Sequence, residues 1–244
     1  MKKLFITFTP NHRKLIKANL IHSLGFLTIE DIEYGKEWYI DNNNLIKDIH
    51  KEYEFLDIDK TAQLFSVFSS NTKYSRNIDE VYRILKLVKL GIKIDLDKHR
   101  KWQTKVNWKK ALPLFEGKDI FKTRNKAKKT YSFYRNLLLD NNYITIDTHI
   151  MKALFKNNDI WKTKLNNVGV YEDLETIMKI VAIPYIEKYD INYYEFQASL
   201  WNIMRNDNRY KIIEKDLYKI PYKTYSQEYR KAKKKKYTNM ETIA

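Results

Sequence analysis

An acidic residue and a histidine lie where an apolar stretch passes into a helical pattern, in the segment 142–155 (NYITIDTHIMKALF). Asp147 is a favoured N-cap residue, because its carboxylate can accept the free N–H groups of a helix's first turn. A carboxylate can also stabilise positive charge on a sugar or deprotonate a nucleophile. Alone, the segment is compatible with both roles. His149 lies two residues further on, so on a helix it points elsewhere and is expected to be a structural hydrogen-bonding residue.

A lysine stands eighteen residues before this aspartate. Lys129 is followed by Thr130 and lies near the start of a predicted helix. A lysine amine in a desolvated pocket can attack C1′ of a sugar and form a Schiff base. Residues 140–146 bring the chain back through a turn, so the amine and Asp147 are expected near the same cleft. The alternative is a solvated lysine, because Lys129 is one of three lysines within four residues.

The arrangement of these residues resembles that of one family. A Lys-Thr pair followed, at this same spacing, by a Val-Asp-Thr-His segment is typical of the helix-hairpin-helix DNA glycosylases of the endonuclease III type. In that family the Asp is essential for base excision, and the Lys is the Schiff-base nucleophile of the members that also cleave the strand. The resemblance implies the first role for Asp147, the second role for Lys129, and double-stranded DNA as the partner.

Two further segments are similar to DNA-contacting parts of the same family. Residues 69–74 (SSNTKY) resemble the loop that inserts a polar side chain where the target nucleotide leaves the duplex, and Asn71 takes that position. The alternative is a turn followed by a helix cap. The segment that matches the family's hairpin has no glycine. Phosphate contacts are therefore expected from three basic side chains instead, Arg124, Lys126 and Lys128.

Gln197, Trp201 and Arg205 fall at i, i+4 and i+8, and therefore on one helix face. Residues 196–201 (FQASLW) look like a Gln-Ala-x-x-Trp segment of a phage- and prophage-encoded branch of glycosylase-like proteins. Two interpretations of this face remain open. It forms either a buried polar and aromatic brace or a wall on which a flipped base stacks, and in the second case Gln197 and Trp201 line the base pocket.

Apolar residues at helical spacing predict an all-α chain. The predicted helices cover 13–24, 44–55, 60–69, 77–90, 126–139, 147–155, 171–182 and 193–204, with short helices and loop over 92–118. The resemblance adds the expectation that residues 1–222 form one glycosylase-like domain of two helical lobes, with a degenerate helix-hairpin-helix and a cleft near 69–77 and 126–150. Residues 223–244 contain a lysine run and are expected to form a flexible basic tail.

The composition of the chain limits the partners and cofactors that can be expected. A net charge of +16, from 46 Lys and Arg against 30 Asp and Glu, favours a polyanionic partner, although an AT-rich genome also raises the lysine content. The chain has no cysteine, which excludes a cysteine-ligated iron–sulfur cluster, and no histidine spacing indicates a metal site. No apolar stretch is long enough for a membrane span, and the opening residues lack the pattern of a signal peptide. A cytoplasmic monomer without a cofactor is expected.

Together these features predict a DNA glycosylase, which cleaves the N-glycosidic bond of a damaged, mismatched or modified base, with or without lyase activity. Asp147 and Lys129 are its predicted catalytic residues. Two alternatives stay open: a non-catalytic DNA-binding protein derived from the same fold, and an enzyme that processes modified bases in phage DNA.

Overall fold

The computed structural model of the protein describes residues 8–69, 72–96, 102–121, 127–156 and 168–220. The described residues form α-helices and 3₁₀ helices, with no strand among them. The predicted all-α class is therefore confirmed.

Ten α-helices lie in the described ranges. They are α1 (Pro10–Leu24), α2 (Ile29–Glu52), α3 (Ile58–Phe68), α4 (Tyr74–Lys89), α5 (Trp102–Ala111), α6 (Lys128–Leu137), α7 (Thr148–Leu154), α8 (Val168–Tyr189), α9 (Tyr193–Arg205) and α10 (Asp207–Ile213). Short 3₁₀ helices follow α5 at Leu112–Glu116 and α10 at Glu214–Asp216.

Three helices differ from the sequence prediction. α2 begins fifteen residues earlier than predicted, and the side chain of Asp31 closes its start by accepting the N–H of Thr28 at 2.9 Å. α8 continues past Pro184, whose missing N–H leaves the carbonyl of exposed Ile180 without a helical partner. The short helix α10 is absent from the prediction.

The chain divides into two compact units. The first combines Met1–Gly35 with Ile146–Ala244, and the second is Lys36–Thr145. The first unit is therefore discontinuous in sequence, which composition shifts and linker-like stretches do not reveal. The glycosylase-like arrangement of two lobes around a cleft stays a prediction.

In the first unit, α1 packs against α7 and α8, and α9 packs against α7, α8 and α10. Each of these five helices contributes fully buried apolar side chains to one core. They include Ile16, Leu20, Ile150, Leu154, Leu174, Phe196 and Ile213. Burying one such side chain contributes about 1.5–3 kcal/mol, so this core holds the helices in fixed positions.

Buried polar bonds fix the C-terminal end of α7 to α1. The side-chain amide of Asn19 donates to the carbonyls of Leu154 (2.9 Å) and Tyr218 (3.0 Å). Ser23 donates to the carbonyl of Ala153 at 3.2 Å. The last carbonyls of a helix have no intrahelical partner, so these bonds satisfy groups that would otherwise be buried unpaired.

Gly35 lets α2 approach α9 very closely. A Cβ at this position would lie 2.1 Å from Ser199 Oγ and 2.5 Å from the backbone oxygen of Glu195. Both distances are shorter than van der Waals contact, so a side chain at position 35 would push the two helices apart. The preceding residue, Tyr34, lies beside α9 and contacts Arg205.

A buried ion pair ties the start of α2 to α10. Arg209 donates to both carboxylate oxygens of Asp31, from Nη1 to Oδ1 at 2.8 Å and from Nη2 to Oδ2 at 2.7 Å. Burial alone would raise the pKa of this carboxyl, but the hydrogen bonds from Arg209 and Thr28, together with the charge of Arg209, outweigh burial and lower the pKa of Asp31. The guanidinium of Arg209 is therefore engaged in bonds that stabilise the fold.

In the second unit, α3 is the central helix and packs against α4, α5 and α6. Its last eight residues are all buried, as its apolar run predicts. Asn43 of α2 donates to the carbonyl of Leu137 at the end of α6 (2.8 Å). The hydroxyl of Tyr134 donates to Asp59 of α3 at 2.7 Å, and burial together with this bond raises the pKa of Tyr134 to about 12. α6 is thus fixed to both α2 and α3.

Gly35→Ala is expected to destabilise the protein by about 1–3 kcal/mol, the usual cost of overpacking. Alanine favours a helix over glycine by about 1 kcal/mol, so a net loss identifies the contact with α9 as decisive. Urea denaturation measures the free energy of unfolding.

Gly25→Ala is the control for this variant. An added Cβ at Gly25 would have its nearest neighbour at 3.2 Å, and the φ angle of −62° suits any residue. A change within about 1 kcal/mol is expected there. Equal changes at both positions would contradict the close packing at Gly35.

Candidate functional site

Asp147 is the N-cap of α7, as its position before a helical pattern predicts. Its Oδ1 accepts hydrogen bonds from the backbone N–H groups of His149 and Ile150, both at 2.9 Å. These groups belong to the first turn of a helix, where N–H groups have no intrahelical partner. The cap interpretation is therefore confirmed, and it accounts for one carboxylate oxygen.

The second oxygen of Asp147 bonds to Trp201. The indole Nε1–H donates to Oδ2 at 3.0 Å, across 54 residues of sequence. Trp201 lies on α9, and the packing of α9 against α7 brings the two side chains together. Both side chains are half-buried. A predicted catalytic residue and a predicted base-pocket residue are thus direct neighbours within the first unit.

Three more side chains surround these two. The guanidinium carbon of Arg205 lies 4.8 Å from the ring centre of Trp201 and 4.9 Å from that of Tyr34. The ring of His149 meets the indole edge-on, with centroids 5.8 Å apart. We name these five residues, Asp147, Trp201, Arg205, Tyr34 and His149, the Asp147 cluster.

The imidazole of His149 does not have the role that its position predicts. Among the described residues it has no hydrogen-bond partner, and its buried Nδ1 is left unsatisfied. The bond to Asp147 comes from the backbone N–H of His149 instead. The expected structural hydrogen bond is therefore wrong for the side chain, which packs against Trp201.

Gln197, the other predicted base-pocket residue, is 4% exposed and lies in the interior of the first unit. Such deep burial favours a bracing role over contact with a base. Trp201 is half-buried, and Arg205 covers one face of its ring. Gln197 therefore fits the brace interpretation, and the pocket role of Trp201 stays a prediction.

Lys129 lies in the first turn of α6, in the second unit. It is half-buried and makes no hydrogen bond or ion pair with the residues that the structure describes. Its neighbour Lys128 is only 5% exposed, which argues against the predicted contact with a phosphate backbone. Because Asp147 belongs to the first unit, the pairing of the two predicted catalytic residues stays a prediction.

Several predicted positions lie outside the described residues. They are the wedge residue Asn71, the phosphate contacts Arg124 and Lys126, and the tail 223–244. Each of them stays a prediction from the sequence.

The Asp147 cluster offers a fixed carboxylate beside an exposed cation. Three N–H donors orient the carboxylate, two from α7 and one from α9. A carboxylate held in one geometry can stabilise positive charge on a reacting sugar, because it needs no reorganisation when that charge develops. The planar guanidinium of Arg205 can bind an anion with the N–H groups at its edge.

A groove of about 340 Å³ lies elsewhere in the first unit and is lined by residues of α1 and α8. Arg13, Lys14 and Lys17 contribute positive charge, while Ile177 and Ile180 contribute apolar surface. None of the predicted site residues that the structure describes lines this groove, so it is distinct from the Asp147 cluster.

Two features are missing from the part of the chain that the structure describes. It contains no group of three or more acidic or histidine side chains placed to hold a metal ion. None of its helices combines the length and the apolar character that crossing a membrane requires.

Tyr34 is the member of the cluster that the sequence alone does not single out. Its signal in the sequence is indirect: Gly35 follows it inside a helix of 24 residues. A glycine costs stability in a helix interior, so its presence there indicates a close approach of another element.

Asp147→Ala is expected to destabilise the protein by about 1–2 kcal/mol through loss of the cap. A further loss is expected because the indole N–H of Trp201 is left without its acceptor. Asp147→Asn keeps a capping oxygen and is expected to stay within about 1 kcal/mol of wild type. Urea denaturation measures the free energy of unfolding of wild type and of both variants.

Asn206→Ala is the matched control for the cap. Asn206 caps α10, which also has seven residues, by accepting the N–H groups of Asn208 (3.1 Å) and Arg209 (3.2 Å). It bonds to no tryptophan that the structure describes, so the difference between the two alanine variants measures the indole bond. No difference would mean that the bond from Trp201 adds nothing to stability.

A comparison with known protein families gives one match. A family model described as "Family of unknown function (DUF7178)" matches residues 4–208. No curated protein and no solved structure matches the chain. The matched range includes Lys129 and the whole Asp147 cluster, so these residues belong to the part of the chain that defines the family. The chain belongs to the DUF7178 family of unknown function.

Proposed function

We propose that the protein is a DNA glycosylase, which cleaves the N-glycosidic bond of a base flipped out of the duplex. Asp147 stabilises the cationic sugar as the bond to the base breaks. Either water or the amine of Lys129 then attacks C1′. The observation that carries the proposal is the geometry of Asp147, whose two oxygens accept three N–H bonds at the start of α7.

The fixed orientation of the carboxylate supports this role. The groups that hold it lie on helices, and sites built on helices are more precise than sites built on loops. α7 is also anchored at its other end, through the bonds from Asn19 and Ser23. The carboxylate therefore cannot turn away from a substrate without breaking the cap of α7 and the bond from Trp201.

The charge of the chain supports a nucleic-acid substrate. A net charge of +16 favours binding to a polyanion, because neutralised phosphates release their counterions. An anionic backbone that approaches Asp147 would be repelled by its carboxylate. The exposed guanidinium of Arg205, one helical turn from Trp201, offsets this repulsion at the place where it arises.

Lys129 supports a lyase step in addition to excision. Its amine makes no ion pair with the described residues, so no carboxylate there holds it away from a substrate. An unprotonated amine displaces the base at C1′, and the base leaves with a proton from that amine. The C1′–O4′ bond then breaks to give an imine between Lys129 and the sugar, and loss of a C2′ proton from the imine expels the 3′ phosphate and cleaves the strand. If water attacks instead, the enzyme only excises, and Lys129 has no covalent role.

A non-catalytic DNA-binding protein is the second candidate function. The observation that favours it is the complete structural role of Asp147, which caps α7 and accepts the bond from Trp201. A processing reaction on modified phage bases is the third, and it uses the same residues on a different base.

Asp147→Asn is expected to lower the rate of base excision by about 10²–10³-fold, because asparagine keeps the cap but lacks the charge. Single-turnover assays measure this rate on duplexes that carry uracil, oxidised, alkylated, mismatched or phage-modified bases. DNA affinity, measured on the same duplexes, is expected to stay unchanged or to increase.

Asp57→Asn is the control for this substitution, since Asp57 caps α3 in the second unit by accepting the N–H of Lys60 at 2.7 Å. It is expected to excise at the wild-type rate. If wild-type protein binds the duplexes but excises none of the bases, the protein is a DNA-binding module and not a glycosylase.

Sodium borohydride is expected to link the wild-type protein covalently to a duplex from which the protein excises a base, because borohydride reduces the imine to a stable amine. Lys129→Ala is expected to lose this adduct, seen as a shifted band on a denaturing gel. Lys51→Ala, at an exposed lysine of the same unit and outside the predicted DNA-contacting segments, is expected to retain it. An adduct that survives in Lys129→Ala would assign the nucleophile to another residue.

A further inference from the structure

Arg205 is an exposed arginine whose guanidinium contacts two aromatic rings. Its guanidinium carbon lies 4.8 Å from the ring centre of Trp201 and 4.9 Å from that of Tyr34. With the residues that the structure describes, it makes no hydrogen bond and no ion pair. None of its five N–H donors is used by a described residue, which leaves them for an anionic ligand.

Contact with two rings restricts the guanidinium without using its donors. The paired N–H groups at its edge match two oxygens of a phosphate. An arginine ordered in advance also loses less side-chain entropy on binding than one that rotates freely. Tyr34 and Trp201 thus prepare Arg205 to bind an anion.

Arg209, four residues further along the chain, shows the contrasting case. It directs its paired N–H groups to both oxygens of buried Asp31, at 2.8 and 2.7 Å. Its Nη2 also donates to the carbonyl of Phe26 at 2.6 Å. Arg209 is satisfied within the protein, whereas Arg205 is ordered but not satisfied.

Two carboxylates near Arg205 are engaged elsewhere. Asp207, two residues along the chain, forms an ion pair with Lys152 at 3.2 Å. Asp147 directs Oδ2 to the indole N–H of Trp201. The indole therefore separates the carboxylate of Asp147 from the guanidinium, and the two charges do not neutralise each other by pairing.

We propose that Arg205 binds a phosphate of the DNA backbone beside the nucleotide on which Asp147 acts, an inference that rests on the proposed glycosylase function. A phosphate is joined to the same sugar whose C1′ becomes cationic. A carboxylate at the edge of one indole ring and a guanidinium over the same ring therefore match the two charges of the reacting nucleotide. Arg205 is a positioning residue, which holds the sugar against Asp147 through its phosphate and takes no part in bond breaking.

The experiment measures binding of the full chain to duplexes with a central tetrahydrofuran abasic site, in which phosphates near the site are replaced singly by neutral methylphosphonates. In wild type, one particular replacement is expected to weaken binding by about 10–100-fold, the range for a hydrogen bond to a charged group. Arg205→Met is expected to bind the unmodified duplex about 10–100-fold more weakly than wild type does. Replacing that phosphate by a methylphosphonate is expected to cause no further loss of affinity in this variant. The slope of its salt dependence is expected to decrease by about 1.

Arg83→Met is the matched control, because Arg83 is also exposed and lies over a tryptophan ring, that of Trp108, at 5.6 Å. It is expected to leave the methylphosphonate pattern unchanged. Arg205→Lys keeps the charge but not the paired donors, and is expected to bind between wild type and Arg205→Met. Circular dichroism verifies that each variant is folded.

The results distinguish this inference from the glycosylase proposal. If no base is excised but Arg205→Met abolishes the methylphosphonate penalty, the phosphate site stands and the glycosylase proposal fails. If the penalty persists in Arg205→Met, or wild type shows none at any position, the phosphate site is refuted even where excision is intact.

A second probe applies if no duplex is bound. Arginine Nε–H resonances are then followed by NMR during titration with 2-deoxyribose 5-phosphate. A shift that is present in wild type and lost in Arg205→Met supports the site. The absence of any shift in wild type overturns it.

Discussion

The hydrogen bond between Trp201 and Asp147 is the interaction on which the arrangement of charged groups in the first unit depends. α7 has seven residues, too few to be stable as an isolated helix. It persists because Asp147 ties its start to α9, while Asn19 and Ser23 tie its end to α1. One carboxylate thus closes the first turn of a helix and joins that helix to its neighbour. Any chemistry at Asp147 uses a group that the fold already holds still.

The sequence predicts well what local physics controls. Apolar spacing indicates most of the helices, an aspartate before a helical pattern indicates the cap, and a four-residue spacing places Trp201 and Arg205 on one face. Relations between distant segments are not encoded locally. The bond from Trp201 to Asp147 and the stack of Tyr34 on Arg205 depend on how α2, α7 and α9 pack. The burial of Lys128 is likewise set by packing, and it cannot be predicted from a cluster of basic residues in the sequence.

The indole of Trp201 keeps two opposite charges near each other without letting them pair. Its N–H bonds to the carboxylate of Asp147, and its ring face lies against the guanidinium of Arg205. A direct ion pair would occupy the donors of the arginine and leave neither group available to a ligand. The separated arrangement leaves a carboxylate for a developing cation and a guanidinium for an anion. A nucleotide that loses its base presents both.

The double role of Asp147 bears on how members of the family are compared. A residue that caps a helix is retained by selection for stability even after its chemistry is lost, so an aspartate at this position says little about activity. Arg205 forms no hydrogen bond or ion pair with the described part of the fold, so selection for stability acts on this residue less strongly than on Asp147. In family members that no longer bind the proposed ligand, the residue at position 205 is expected to vary. Under the proposed function, the joint presence of both residues is therefore the pattern that distinguishes a catalytic site from a helix cap without catalysis.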